Sequence, residues 1–369
     1  MTPPHSVIVS AVVLAVAGFA SAAPTIDDFD RAWRAARNYQ IPKSTEIEWR
    51  ETTHPTMTAE EIDAAIARLG SEPRESERAV LEGQRWLLNA GPSVSTYHLW
   101  YLSDRQFRLN EDIPNAEWSP QIDATVNGNE GWIYASDRSV AVVDLNRPPP
   151  GRNPRVHVDT INALKSNLLT SGMGFGMSQL EVRSFEIDQD EWRAILTLPD
   201  SGVRFRLSGY YRPENDQFVV RAGQFAAPEY PETDGKSLEY SGHEFNAALG
   251  QVVAGRFVHK DRNGRPIRSI ELDLLDRFDT ALFAGIAAVP SPARNDPTRP
   301  ERQIRRIDDY RPATAVTTTL DSDTGAVVSN EPLASVTNRQ SANAWRWTGW
   351  VILPVLVAAF VVVRMKRSV

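Results

Sequence analysis

Residues 123–145 read DATVNGNEGWIYASDRSVAVVDL. Turn chemistry at Asn127-Gly128-Asn129 and at Ser136-Asp137 cuts the stretch into short runs rich in Val, Ile, Trp and Tyr, which is the pattern of strands joined by tight turns. The same grammar continues on both sides. STYHLWYL and QFRLN flank the turn Ser103-Asp104-Arg105, and STEIEWRET, Ser44 to Thr52, alternates as a strand. VRFRLSGYY puts Val203, Phe205 and Leu207 on one face and Arg204, Arg206 and Ser208 on the other. QFVVRAGQF returns after Arg212–Asp216, and QVVAGRFVHK joins PIRSIELDLL through Asn263-Gly264, a strong hairpin signal. In that last strand Ile270, Leu272 and Leu274 are expected to face in, and Glu271 and Asp273 out. Hairpins that follow one another without βα alternation make an antiparallel sheet.

Helices cover this sheet. TIDDFDRAWRAARNY carries acids early and arginines late, with Phe29, Trp33 and Ala36 spaced for one buried face. Residues 57–90 read as a helical insertion. The capping box Thr58–Glu61 opens a helix stopped by Gly70, and a second helix runs from about Pro73 to Asn89. Its apolar stripes suit a cover over a sheet edge or face. DTINALKSNLL, Asp159 to Leu169, is the strongest helical break within the strands. The fold class is therefore α+β: a curved antiparallel β-sheet, an incomplete barrel, covered by helices.

Both ends read as membrane traffic. Residues 1–22 have an apolar run and end in Ala20-Ser21-Ala22, a signal peptide with cleavage after Ala22. Trp347 to Val363 is free of charge, framed by Trp345, Trp347 and Trp350 in front and Arg364, Lys366 and Arg367 behind. That is the framing of a transmembrane helix with a cytoplasmic C-terminus, here 345–363 with a tail at 364–369. A bacterial C-terminal sorting signal has a similar outline, but no convincing recognition tripeptide precedes this one. The segment 305–344, poor in large apolar residues, is expected to be a disordered stalk. The extracytoplasmic domain then spans 23–304. Outside the membrane, 37 basic residues stand against 47 acidic ones, a balance of −10, which argues against a nucleic-acid partner. There is no cysteine, so disulfides, lipid attachment at a lipobox, thiolate metal sites and cysteine catalysis are excluded.

Catalytic motifs are few. No GxSxG occurs, and His243-Glu244 lacks the second histidine of a zinc helix. Asp321–Gly325 starts like a calcium loop but lacks the following acid. The six histidines form no cluster in sequence, and no cofactor or metal is expected. SGMGFGM, Ser171–Met177, lacks the lysine of a phosphate loop and leads into a strand. It reads either as a mobile apolar flap or as a packed helix-to-strand connection.

Within WYLSDRQFRLNEDIPN…ATVNGNEGWIYASDRSVAVVDL, the positions Arg108, Gly131, Trp132, Tyr134, Val140 and Val142 resemble the middle of LolA/LolB-type lipoprotein carriers. The helix at Asp159, the strand EWRAILTLP and the hairpin Val203–Phe225 continue the order, so the resemblance covers about Ser44–Leu275 apart from the insertion. It implies an incomplete antiparallel barrel closed by helices around an apolar cavity for acyl chains, and transfers no cavity residue singly; the candidate cavity or lid residues of this chain are Met173, Phe175, Met177, Trp100, Trp132 and Tyr134. Related domains also serve as envelope-stress sensors. Anchoring at the C-terminus departs from a freely shuttling carrier and favours a sensor, local acceptor or scaffold. The expected partners are a lipid or lipoprotein, or another envelope protein, at a bacterial cell membrane.

Overall fold

The computed structural model describes residues 23–68, 75–112, 123–135, 139–174, 180–199, 201–230, 233–289, 304–311, 315–321, 324 and 326–332. The expected signal peptide 1–22, the membrane helix 345–363 and the tail 364–369 lie outside them. No helix among the described residues is long and apolar enough to cross a membrane.

In chain order the elements are α1 (Ile26–Arg37), β1 (Thr45–Thr53), α2 (Ala59–Arg68), α3 (Glu75–Ala90), β2 (Ser93–Ser103), β3 (Gln106–Asp112), β4 (Asp123–Asn127), β5 (Glu130–Ala135) and β6 (Ser139–Asp144). Then come α4 (Val158–Leu164), which runs on into a π-turn (Lys165–Leu169), and β7 (Glu181–Asp188), β8 (Glu191–Thr197), β9 (Arg204–Arg212), β10 (Gln217–Ala226) and β11 (Ser237–Ser241). After β12 (Glu244–Asn246), β13 (Gln251–Val253), β14 (Arg256–Lys260) and β15 (Pro266–Arg277) follow α5 (Phe283–Ile286), β16 (Arg306–Asp309), β17 (Val316–Leu320) and β18 (Val327–Pro332). All strands but β12 and β13 join one sheet in the order β18-β17-β16-β6-β5-β4-β3-β2-β1-β15-β14-β11-β10-β9-β8-β7. The two turns expected at Asn127–Asn129 and Asn263-Gly264 are present, with Gly128 and Gly264 at positive φ where a Cβ is disfavoured.

The sheet curls. Inward side chains from strands as far apart in its order as β6 (Ala141, Val143) and β8 (Trp192) share a single core with α1 and α4. In α1, Thr25 and Asp28 form a capping box, so the helix starts with two satisfied donors and presents Phe29 and Trp33 inward. Phe29 stacks on Phe185 and meets Phe218 edge-on, with centroids 5.0 and 5.3 Å away. The insertion is α2 and α3, and Thr58 and Glu61 cap each other as its sequence implies.

Two expectations are corrected. Leu274 is exposed, not inward: a bulge opposite Glu48 and Trp49 shifts the β1–β15 register, leaving Asp273 outward against Arg50 and turning Leu275 to the core. The second concerns the stalk. Its first part is folded into β16, β17 and β18, which extend the sheet past β6. Composition hid this because the apolar residues are few, yet the strand Val316–Leu320, β-branched through Thr319, pairs on both sides and Ile304 and Leu320 find a small apolar cluster of their own. β16 lies parallel to β6, in an otherwise antiparallel sheet. The remainder of that segment, 333–344, lies outside the described residues.

Candidate functional site

The concave face is the natural place for a ligand in an open barrel, and its covering layer is built from α1, α4 and the π-turn. The chain leaves the π-turn through Thr170–Gly174, the first half of the glycine-rich loop. Thr170 accepts from Gly174 N–H at 2.9 Å through its hydroxyl. Ser171, at φ 50°, accepts Val220 N–H through its carbonyl at 3.1 Å and donates its hydroxyl to the Val252 carbonyl. Gly172, at φ +80°, lies where a Cβ would sit 2.8 Å from the Tyr240 ring. Ala254 N–H donates to Leu168 O at 3.0 Å, and the Gln251 side chain to Leu169 O at 2.6 Å. This half of the loop is a packed connection, fastened to β10 and to the β12–β13 hairpin.

Met173 is 3 % exposed and belongs to the main core. It occupies the space that sequence reasoning reserved for a ligand. Phe175 and Met177 lie outside the described residues. Trp100, Trp132 and Tyr134 are on the opposite, convex face. Trp132 and Tyr134 pack in a second cluster with Val140, Val142, Ile304, Leu320 and Ile307. The four candidate residues among those described thus divide between the two faces of the sheet. Strand periodicity carried the information, since Tyr97, Leu99 and Tyr101 point inward and Trp100 must then point out.

On the convex face Arg108 sits between two indoles, 5.6 Å from Trp100 and 5.3 Å from Trp132, and forks onto Asp123 at 3.0 and 2.8 Å. Burial nonetheless raises the Asp123 carboxyl above its ordinary range. The strap that follows β15 crosses here: Arg108 donates to the Ile286 carbonyl and Trp132 Nε1 to the Ala287 carbonyl, both at 3.0 Å. This ladder fastens the strap, although the buried Thr125 hydroxyl between Arg108 and Trp132 has no hydrogen-bond partner among the described residues.

The concave side holds two features that composition did not reveal. At one end a polar network interrupts the core. Arg268 pairs with Glu51, and Tyr97, stacked on Trp49 at 4.8 Å, donates its hydroxyl to Glu111 at 2.7 Å. Burial, partly offset by that hydroxyl, pushes Glu111 up to about 7, and burial lowers the neighbouring His259 to about 4. The second feature is the seam between cover and sheet. Trp33 Nε1, Trp192 Nε1, the Tyr240 hydroxyl and Asn167 Oδ1 are buried in it with no hydrogen-bond partner among the described residues. Buried polar atoms are rarely left so, and each one costs free energy.

The seam is filled with side chains. Two open surface cavities occur among the described residues: one of about 560 Å³ between α2 and the β14–β15 turn, lined by charged residues such as Glu61, Arg68 and Asp261, and one of about 490 Å³ along the β8–β11 surface, where Trp192 and Tyr240 line it together with Arg193, Arg221 and Glu239. Met173 shares one continuous core with the Phe29 aromatic group. No group of three His, Asp or Glu among the described residues is placed to hold a metal ion.

No protein-family model matches the sequence, and no curated protein matches it. Among solved structures the chain is similar to a LolA superfamily protein from Nitrosomonas europaea, 12 % identical, over 71 % of this chain and 98 % of that one, with a TM-score of 0.33. It is similar to an outer membrane lipoprotein-sorting protein domain from Vibrio parahaemolyticus, 8 % identical, over 70 % and 96 %, at 0.33. The Pseudomonas aeruginosa MucA/MucB complex follows at 10 % identity, 80 % and 77 % coverage, and 0.23. The resemblance to LolA-type carriers is met by these neighbours, and at such scores they carry no argument about ligand or partner.

Proposed function

We propose that this chain is an exported, C-terminally tethered binding module of the bacterial envelope, without catalysis, that takes an acyl chain of a lipid or lipoprotein between its helical cover and its concave sheet. The observation that carries the reading is the seam. Large aromatic faces there are interspersed with partnerless N–H, O–H and amide groups, which is the mixed lining a lipid tail with an ester or amide end would satisfy. Because the space is occupied, uptake is an exchange in which Met173 and the π-turn withdraw as the ligand enters. A π-turn followed by a left-handed Ser171 stores strain at the point where that movement would begin. The tether fits. Only twelve residues separate Pro332 from Trp345, a reach of at most about 40 Å at roughly 3.5 Å per residue, so the module works close to the bilayer.

The test is quenching of tryptophan fluorescence by a lysophospholipid brominated on its acyl chain, using the full chain in nanodiscs of unbrominated lipid. The reading expects quenching that falls when Trp33 and Trp192 are replaced by Phe. Quenching left unchanged by those replacements, arising only from the tryptophans near the membrane segment, would reject it. A second reading, a sensor or scaffold that binds another envelope protein, is favoured by β18: Val327 and Val328 are 64 % and 66 % exposed on the last strand of the sheet. Crosslinking from Val328 in intact cells would retain a distinct partner if it holds, and would return nothing but the chain itself if it does not.

A further inference from the structure

β6 cannot stand as a free edge. Residues 139–143 are buried on both faces, and a flat strand of valines with unpaired backbone groups is an open template for strand addition. The chain covers it with its own tail. β16 pairs in parallel, Val140 opposite Ile307 and Val142 opposite Asp309, and Tyr310 N–H donates to the Val142 carbonyl at 2.8 Å. Around that edge lies a complete receptor for one extended segment. Trp132, Val140 and Val142 receive Ile304, Ile307 and Leu320, while Arg311 reaches Glu130 at 2.8 Å. Asp308 is buried and satisfied by Arg306 and Thr317 of the tail itself, so the tail brings its polar solution with it.

What supplies the tail is less constrained than what receives it. Fourteen residues, 290–303, separate Val289, at the end of the strap, from Ile304, enough to reach about 50 Å at roughly 3.5 Å per residue. Every contact between tail and edge would be reproduced unchanged by the tail of another molecule, because receptor and segment belong to the same sequence. We propose that β6 is a strand-acceptor surface whose second occupant is the β16–β18 segment of another copy of this chain, so that two tethered copies exchange tails into a closed pair. Exchange of an identical element needs no new interface chemistry, and confinement to one bilayer raises the effective concentration of the partner tail. The inference rests on the C-terminal tether proposed above but not on the acyl-chain reading: it concerns the opposite face and the far edge of the sheet.

The absence of native cysteine makes the test clean. Full chains carrying only Val140→Cys are co-expressed with full chains carrying only Ile307→Cys, and membranes are oxidised before electrophoresis. The mixed pair is expected to give a disulfide-linked dimer at least tenfold above either variant alone, because only exchange brings position 307 of one copy opposite position 140 of another. A chain carrying both substitutions reports folding through its internal crosslink. Should burial of these positions prevent folding, Glu130→Cys with Arg311→Cys and a short bis-maleimide repeats the design on exposed residues. An internal crosslink in the doubly substituted chain, together with no dimer from the mixed pair in either design, overturns the proposal.

Discussion

The molecule has two apolar cores of unequal kind, one on each face of the same sheet. The concave core gathers residues from most strands around α1 and α4 and includes Phe29 with its ring partners Trp33, Phe185, Trp192 and Phe218. The convex core among the described residues is small: Trp132, Val140 and Val142 of the sheet meet Ile304 and Leu320 of the tail. Strands alternate, so a sheet covered on both sides must divide its apolar residues between two interiors. Here the division is so uneven that global stability belongs to one face and the attachment of the C-terminal strands to the other.

The hardest blow to the concave core is Trp192→Ala, which removes a ring packed against Phe29 and Phe218 and is expected to cost about 3–5 kcal/mol. Chemical denaturation should show the whole domain shifting together. Survival with an unchanged midpoint would mean that the aromatic group does not hold the fold.

Glu111 gives the next largest effect, and it depends on pH. Its carboxyl titrates at about 7 in the folded chain against a usual 4.5, because burial opposes its charge. The folded state therefore holds a proton that the unfolded chain has lost, and this stabilisation is complete below 4.5 and fades as pH rises through about 7. The lost contribution is about 3 kcal/mol at 1.36 kcal/mol per unit. His157, His243 and His259, each lowered to about 4 by burial, work the other way: the unfolded chain takes up their protons first, so their contribution grows from about pH 4 to 6.5. The measurement is the difference between the chain and its Glu111→Gln variant across pH 5 to 8, where the histidine contribution cancels. A difference that stays flat would show that Glu111 is ionised in the fold.

Leu320→Ala probes the convex core, at about 2 kcal/mol. Hydrogen exchange should speed up in Arg306–Leu320 while amides of β8 and β9 keep their protection. Equal loss in both places would merge the two cores into one cooperative unit. Thr58→Ala, which removes the α2 cap, is expected to cost about 1 kcal/mol and to reach neither core. Exchange confined to α2 and α3 is the outcome that fits.

Much of the concave architecture could be read from residues. Period-two alternation placed Phe205 and Leu207 inward, and turn chemistry located the hairpins at Gly128 and Gly264. Three things could not be read. Trp100 and Trp132 look like cavity aromatics in isolation, and only the register tells which face each takes. Leu274 was misplaced because a bulge depends on the partner strand, which local sequence does not show. The folded tail is hard to read because its support is long-range: Ile304 and Leu320 are buried against Val140 and Val142, about 160 to 180 residues earlier. The candidate site was legible in its parts and not in its state. Glycines and a methionine marked the loop, but whether Met173 lines a hollow or fills it is decided by the rings around it.

The order of the last three strands has a mechanical consequence. The chain leaves β18 at Pro332, which pairs with Val316 at the open end of the β17–β18 hairpin. A pull applied there peels rungs singly, like a zipper, instead of loading them in parallel. Tension applied beyond Pro332 would thus be spent on β18, then on β17, before the Phe29 aromatic group felt any of it. A force trace taken between Ala23 and Pro332 should show that low, early step, and a single high rupture would show that the tail bears load as one block with the rest.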